Sequence, residues 1–179
     1  LEVVAGLNIC NTLNNVFNIA FIAMGNAVAI IIGQMLGAGK MKEARDVDTK
    51  LIFFSTAMCV VIGGMLALVA PVFPRFYNTT PVVQQLAMQF QWVLAFIMPF
   101  QSFTNACYFT LRSGGRTGIT FVFDSIYMWC VVVPLAFVLS RFSPLAVVPM
   151  YMLVQSMEII KAGIGFVLVK KGIWLRNLV

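Results

Sequence analysis

The sequence predicts an all-α integral membrane fold, on three observations. Of the 179 residues, 61% are apolar and only 10% are charged, where a soluble domain carries about 25% charged residues. The apolar residues fall in runs longer than a soluble core helix needs; crossing about 30 Å of hydrocarbon takes roughly 20 residues at helical rise. Turn residues separate the runs: Gly37-Ala38-Gly39, Pro74 with Asn78 and Pro81, Gly114-Gly115, and Ser143-Pro144. Five transmembrane helices follow, over about 6–37, 50–73, 82–111, 118–140 and 145–170. No linker or low-complexity tract interrupts residues 1–179, so a single membrane domain is expected.

The first helix carries Asn8, Asn11, Asn15, Asn18 and Asn26 at three-four spacing, on one face. Amides are costly against lipid, so this face is expected to meet protein or water. Interhelical packing and a cavity lining are both open, with packing preferred. The second helix repeats Ser55, Cys59, Gly63 and Ala67, a small-residue pattern that lets backbones approach closely.

The third helix contains Pro99, which removes a backbone donor and favours a kink. Gln91, Met98, Gln101, Asn105 and Tyr108 share one side of it. Amide, thioether and ring together suit an adaptable ligand surface, since Met re-packs around varied shapes; a buried polar seam is the equal alternative. A short basic link, Leu111-Arg112-Ser113-Gly114-Gly115-Arg116-Thr117, leads to the fourth helix and its lone carboxylate, Asp124. Unpaired intramembrane acids mark transport paths, so Asp124 is a functional candidate, with Lys161, Arg112 or the amides of the third helix as possible partners. On the fifth helix Glu158 and Lys161 stand three apart and are expected to pair with each other.

The net charge of +6 does not point to nucleic acid, because the basic residues sit at segment ends. Lys40, Lys42, Arg45, Lys50, Arg112, Arg116, Lys170, Lys171 and Arg176 fall on one side of the alternating spans, against Arg75 and Arg141 on the other. The richer side is expected to be cytoplasmic, which makes this a multi-pass protein of the cell membrane with its carboxyl terminus in the cytoplasm. Histidine is absent, which removes the usual general base. Cys10, Cys59, Cys107 and Cys130 show no metal or redox spacing and are expected to pack as small hydrophobes. Gly33 to Lys40 fails as a phosphate-binding loop, because Met41 follows the lysine and no strand precedes it. The chain opens at Leu1 with no signal-peptide pattern. The expectation is a carboxyl-terminal piece of a longer protein, lacking partners for part of its amide seam and unstable alone.

Several motifs together resemble the multidrug and toxic compound extrusion (MATE) family. Gly25-Asn26-Ala27, Gly33-Gln34-Met35-Leu36-Gly37-Ala38-Gly39 and Glu43-Ala44-Arg45 resemble the end of the second helix of a lobe. Leu111-Arg112-Ser113-Gly114-Gly115 with Thr117 resembles the link between the tenth and eleventh helices; Asp124, Trp129 and Pro134 follow it, and Glu158, Lys161, Gly165 and Trp174 resemble the last helix and tail. The resemblance implies helices eight to twelve of a twelve-helix, two-lobe transporter that exchanges Na⁺ or H⁺ for amphipathic, often cationic drugs, needs no cofactor, and sits in a lipid bilayer beside an amino-terminal lobe. For such a transporter the polar stripes and membrane charges of this chain lead us to expect a substrate cavity at Gln101, Asn105, Tyr108, Met98 and Asn18, and ion coupling at Asp124, Glu158 and Lys161. Two departures stand out: Arg116 replaces an acidic residue of many relatives, and Gln101 stands about where one branch carries a coupling carboxylate. A neutral amide takes up no proton at physiological pH, which moves coupling toward Asp124 or the missing lobe. Two other functions are weighed: a lipid-linked glycan flippase, which would favour a more basic cavity, and an intramembrane aspartyl enzyme, which would need Asp124 and Glu158 to face each other.

Overall fold

The computed structural model describes residues 1–115 and 117–175. They form five long helices: α1 (Glu2–Gly37), α2 (Met41–Val69), α3 (Pro81–Ser113), α4 (Thr117–Phe142) and α5 (Val147–Lys170). A 3₁₀ turn, Phe73–Phe76, joins α2 to α3, where Pro71 and Pro74 end the α-helical run.

The largest departure from the expected boundaries is the start of α2, at Met41 rather than near residue 50. Residues 41–50 are charged, but they are helix formers, and Lys50 pairs with Asp46 one turn away at 2.6 Å. Ala44 and Asp48 turn inward from this segment and are buried. The link shrinks to Ala38–Lys40, and Gly39 takes φ +72°, a left-handed conformation that only glycine adopts freely.

Helix α3 is the hub, packed against α1, α2 and α5. Four helices are long and apolar enough to cross a membrane by length and composition, and α3 is not among them. Its polar side chains are why; yet its 33 residues reach about 50 Å at helical rise, ample to span a bilayer. A central helix tolerates polarity because protein surrounds it.

The small-residue face of α2 lies on α3. A Cβ added at Gly63 would stand 2.8 Å from the backbone oxygen of Ala95, so only glycine permits this approach. Ser55 and Ser102 hydroxyls hydrogen-bond across the same seam at 3.0 Å. The core beside it joins Cys10, Leu13, Phe21, Cys59, Leu66, Phe90, Leu94 and Met98. At the other end Val28, Ile32, Leu36, Leu111 and Trp174 form a second cluster. There a Cβ on Gly114 would collide with the Trp174 carbonyl, which fastens the α3–α4 link to the tail of α5.

Cys10, Cys59 and Cys107 are buried, and Cys130 is exposed on the apolar surface of α4. Helix α4 is peripheral: most of it is bare, with Trp129 and Phe137 projecting outward. Phe53, Leu68 and Phe96 do the same on α2 and α3. That much exposed apolar surface suits hydrocarbon, not water.

Candidate functional site

A cavity of about 440 Å³ opens among α1, α3, α4 and α5. The three-four pattern of α3 places Gln101, Thr104, Asn105, Tyr108 and Phe109 along it. Helix α1 contributes Asn14, Asn18, Phe21 and Ile22, α4 contributes Asp124, and α5 contributes Glu158 and Lys161. Gly25 sets the spacing of α1 and α3 here, because a Cβ on it would run into the Phe109 ring and lie 2.7 Å from Asn105 Oδ1.

Seven of the eight residues expected at a cavity or coupling site therefore converge: Asn18, Gln101, Asn105, Tyr108, Asp124, Glu158 and Lys161. Met98 does not. It is fully buried in the core with Cys59 and Leu94, because the α3 stripe divides: its first half, Gln91 and Met98, turns into the bundle. The α1 stripe divides too. Asn18 lines the cavity, whereas Asn8, Asn11, Asn15 and Asn26 are exposed, and Asn14, four residues before Asn18, faces the cavity beside it.

The charges pair differently from the sequence expectation. Lys161 Nζ donates to Asp124 Oδ1 at 2.7 Å across the α4–α5 interface, and among the described residues no ion pair joins it to Glu158. Nearness along one helix does not fix a long side chain's direction. Here α4 adopts wider, π-helical turns over Val122–Ile126 and Met128–Val132. Such turns re-aim side chains and recur at functional sites. Asp124 sits in the first of them, and Tyr127 just after it donates to the Met157 carbonyl at 2.8 Å, clamping α4 to α5. The Lys161 ammonium also lies 5.5 Å from the centre of the Phe123 ring, a distance at which the ring face attracts it. Arg112 is not the partner of Asp124, and Arg116 lies outside the described residues, as does Arg176.

The pair is uneven. The Lys161 side chain is 11% exposed and that of Asp124 is 54% exposed. The lysine is an internal fixture, while the carboxylate stands half in the opening. Glu158 is left as a cavity carboxylate with no ion-pair partner among the described residues. Asn14 Oδ1 and Asn105 Oδ1 are buried with no hydrogen-bond partner among the described residues. Buried polar atoms are normally satisfied, so a polar or charged guest would complete this lining. Asp124 and Glu158 line the same cavity, with the ammonium of Lys161 bound to Asp124.

The sequence pattern does not single out Asn14, Thr104 or Phe109, and it marks Gly25 only as part of a motif. Thr104 was discoverable, since it stands three residues from Gln101 on the same arc. Buried Asp48, which accepts a hydrogen bond from Thr110 Oγ1 at 2.6 Å, was hidden by the misplaced start of α2.

Comparison with known proteins agrees with the motifs. A family model described as MatE matches residues 2–138. A curated relative described as "Probable multidrug resistance protein NorM", from Streptococcus pneumoniae serotype 4, is 27% identical over 101 residues, 56% of this chain and 22% of that protein. The chain thus matches less than a quarter of that relative's length. No solved structure matches it.

Proposed function

The chain belongs to the MatE family, whose members are multi-pass membrane transporters and not enzymes, and on that premise we propose that it is part of a cation-coupled multidrug antiporter. The protein exports amphipathic, often cationic compounds in exchange for Na⁺ or H⁺. It resides in the cell membrane with the basic ends of its helices and its carboxyl terminus in the cytoplasm. An amino-terminal lobe supplies the opposite wall of the cavity, and the two lobes alternate access.

The observation that carries this reading is the meeting of amide, ring and acid in one cavity. Gln101, Asn105 and Tyr108 offer dipoles and a ring face, Phe21 and Ile22 offer apolar contact, and Glu158 offers negative charge. With all three ionised, Asp124, Glu158 and Lys161 sum to one negative charge, which favours a cation inside a low-dielectric wall. Glu158 takes the positive end of the drug or the coupling ion. Asp124 tunes the equilibrium between facing states through its bond to Lys161, because a cation that competes with Lys161 for Asp124 loosens α4 from α5. Coupling requires that ion and drug favour different states.

The test is transport by the complete protein in proteoliposomes under an imposed Na⁺ or pH gradient. Ethidium should accumulate against its own gradient when one of the two is applied. Dye movement indifferent to both gradients contradicts antiport.

A further inference from the structure

A second hollow lies away from the polar cavity, on the outer side of α2, α3 and α5. Near the basic end of the bundle it measures about 520 Å³, with Ile52, Phe53, Phe103, Phe166 and Val169 as its apolar walls. Another hollow of about 500 Å³ shares Thr56, Phe103 and Phe166 with it and runs on to Pro99, Ile159 and Gly163. The two make one trough. From Lys170 to Ile159 is eleven residues of α5, about 17 Å at helical rise. Thr56 adds little polarity, because its hydroxyl already donates to the Ile52 carbonyl at 2.8 Å.

The mouth of the trough is basic. Arg45 and Lys170 line it and are both exposed. Arg45 Nη2 donates to the Lys170 carbonyl at 3.2 Å, one of five guanidinium donors and the one hydrogen bond from this side chain among the described residues. The Lys170 ammonium is held 5.6 Å from the centre of the Phe166 ring. Asp48 also borders the hollow, but it is fully buried and engaged by Thr110 on α3, so the charges presented outward are positive. Lys42 and Lys171 are exposed at the same end of the bundle, where the exposed acids Glu43 and Asp46 are paired with Lys40 and Lys50.

We propose that this trough is a binding site for a glycerophospholipid with an anionic headgroup. One acyl chain lies along Phe53, Phe103 and Phe166, and the phosphate meets Arg45 and Lys170. An apolar slot that deepens into the span, with cations only at its mouth, has the charge and polarity sequence of such a lipid. The site rests on the helices spanning a bilayer and is independent of the antiport reading. Its occupant ties the start of α2 to the end of α5.

The test is native mass spectrometry of the complete, delipidated protein, titrated with phosphatidylglycerol and with phosphatidylcholine of the same chain length. Each basic group near the surface strengthens anionic-lipid binding about fivefold, so phosphatidylglycerol should bind about thirtyfold more tightly. Arg45→Ala with Lys170→Ala should bring the two lipids close to parity. Gly163→Leu fills the deep end, where an added Cβ meets nothing within 4 Å. It should weaken both lipids and keep the preference, and it carries the test if the double variant misfolds. Equal binding by the unaltered protein, a preference that survives the double substitution, or indifference to Gly163→Leu would each overturn the proposal. So would a disulfide formed by copper-phenanthroline oxidation between Phe53→Cys and a second cysteine introduced in another helix of the complete protein, which would mean that protein fills the trough.

Discussion

Removing either partner of the Lys161–Asp124 pair should destabilise the bundle unequally. At 2.7 Å and an effective dielectric constant of about 20, the gross attraction is about 6 kcal/mol, and desolvation of the two groups offsets most of it. What remains depends on which charge is stranded. Asp124→Ala leaves the ammonium of Lys161 in a site where its side chain is 11% exposed. An uncompensated buried charge costs about 3 kcal/mol, and contact with Phe123 and the nearness of Glu158 trim that toward 2. Lys161→Met leaves Asp124 with 54% of its side chain exposed; water reaches it, and the loss should be about 1 kcal/mol. The double variant removes the stranded charge and should be more stable than Asp124→Ala alone. The assay is an SDS titration of the complete protein in mixed micelles, followed by helical circular dichroism. A Lys161→Met cost equal to or above that of Asp124→Ala would refute the assignment of the lysine as the buried, fixed member. Strictly additive single effects would refute the pairing itself.

Three further outcomes are expected. Gly63→Ala forces a methyl against the Ala95 carbonyl, a backbone atom that cannot swing aside, and should cost about 1–3 kcal/mol in the same titration; no loss would mean that α2 and α3 are farther apart. Thr110→Val leaves buried Asp48 with neither oxygen bonded among the described residues, since Oδ2 already lacks a partner there. It should lower the melting midpoint by an amount equivalent to about 2 kcal/mol, whereas Thr110→Ser should restore most of it. Glu158→Gln removes the charge offered to a cationic guest and should weaken ethidium binding about tenfold or more by fluorescence anisotropy. Binding of an uncharged dye should hold, and equal losses for both would assign Glu158 a packing role.

The helices were legible because membrane spans are written in composition. Long apolar runs, stopped by Gly37-Ala38-Gly39 or Ser143-Pro144, leave few alternatives. The start of α2 was misplaced for the same reason: charge marks the edge of the hydrocarbon, not the end of the helix, and Met41–Lys50 continues α2 beyond that edge. The α3 stripe gave Gln101, Asn105 and Tyr108 because helical spacing fixes which residues share a side. It misassigned Met98 because a stripe on a central helix crosses from one neighbour to another along its length. Pairing was the least legible feature. Glu158 and Lys161 are close in sequence, yet the lysine reaches across to α4, where the π-helical turns around Asp124 leave no pattern in residue type. Long-range choices of this kind depend on how two helices dock, and spacing along either one does not carry that information.

The central claim is that the α1–α3–α4–α5 cavity is a water-filled, drug-binding path inside a membrane protein. Cysteine accessibility tests it most directly, in the complete protein with the exposed Cys130 replaced by serine. Single cysteines at Asn18, Asn105 and Glu158 should react with a membrane-impermeant thiol reagent and be protected by ethidium, while cysteines at the outward-facing Trp129 and Phe137 should stay inert. Labelling of the cavity positions no faster than that of the outward ones, or labelling that ethidium leaves unchanged, would contradict the account.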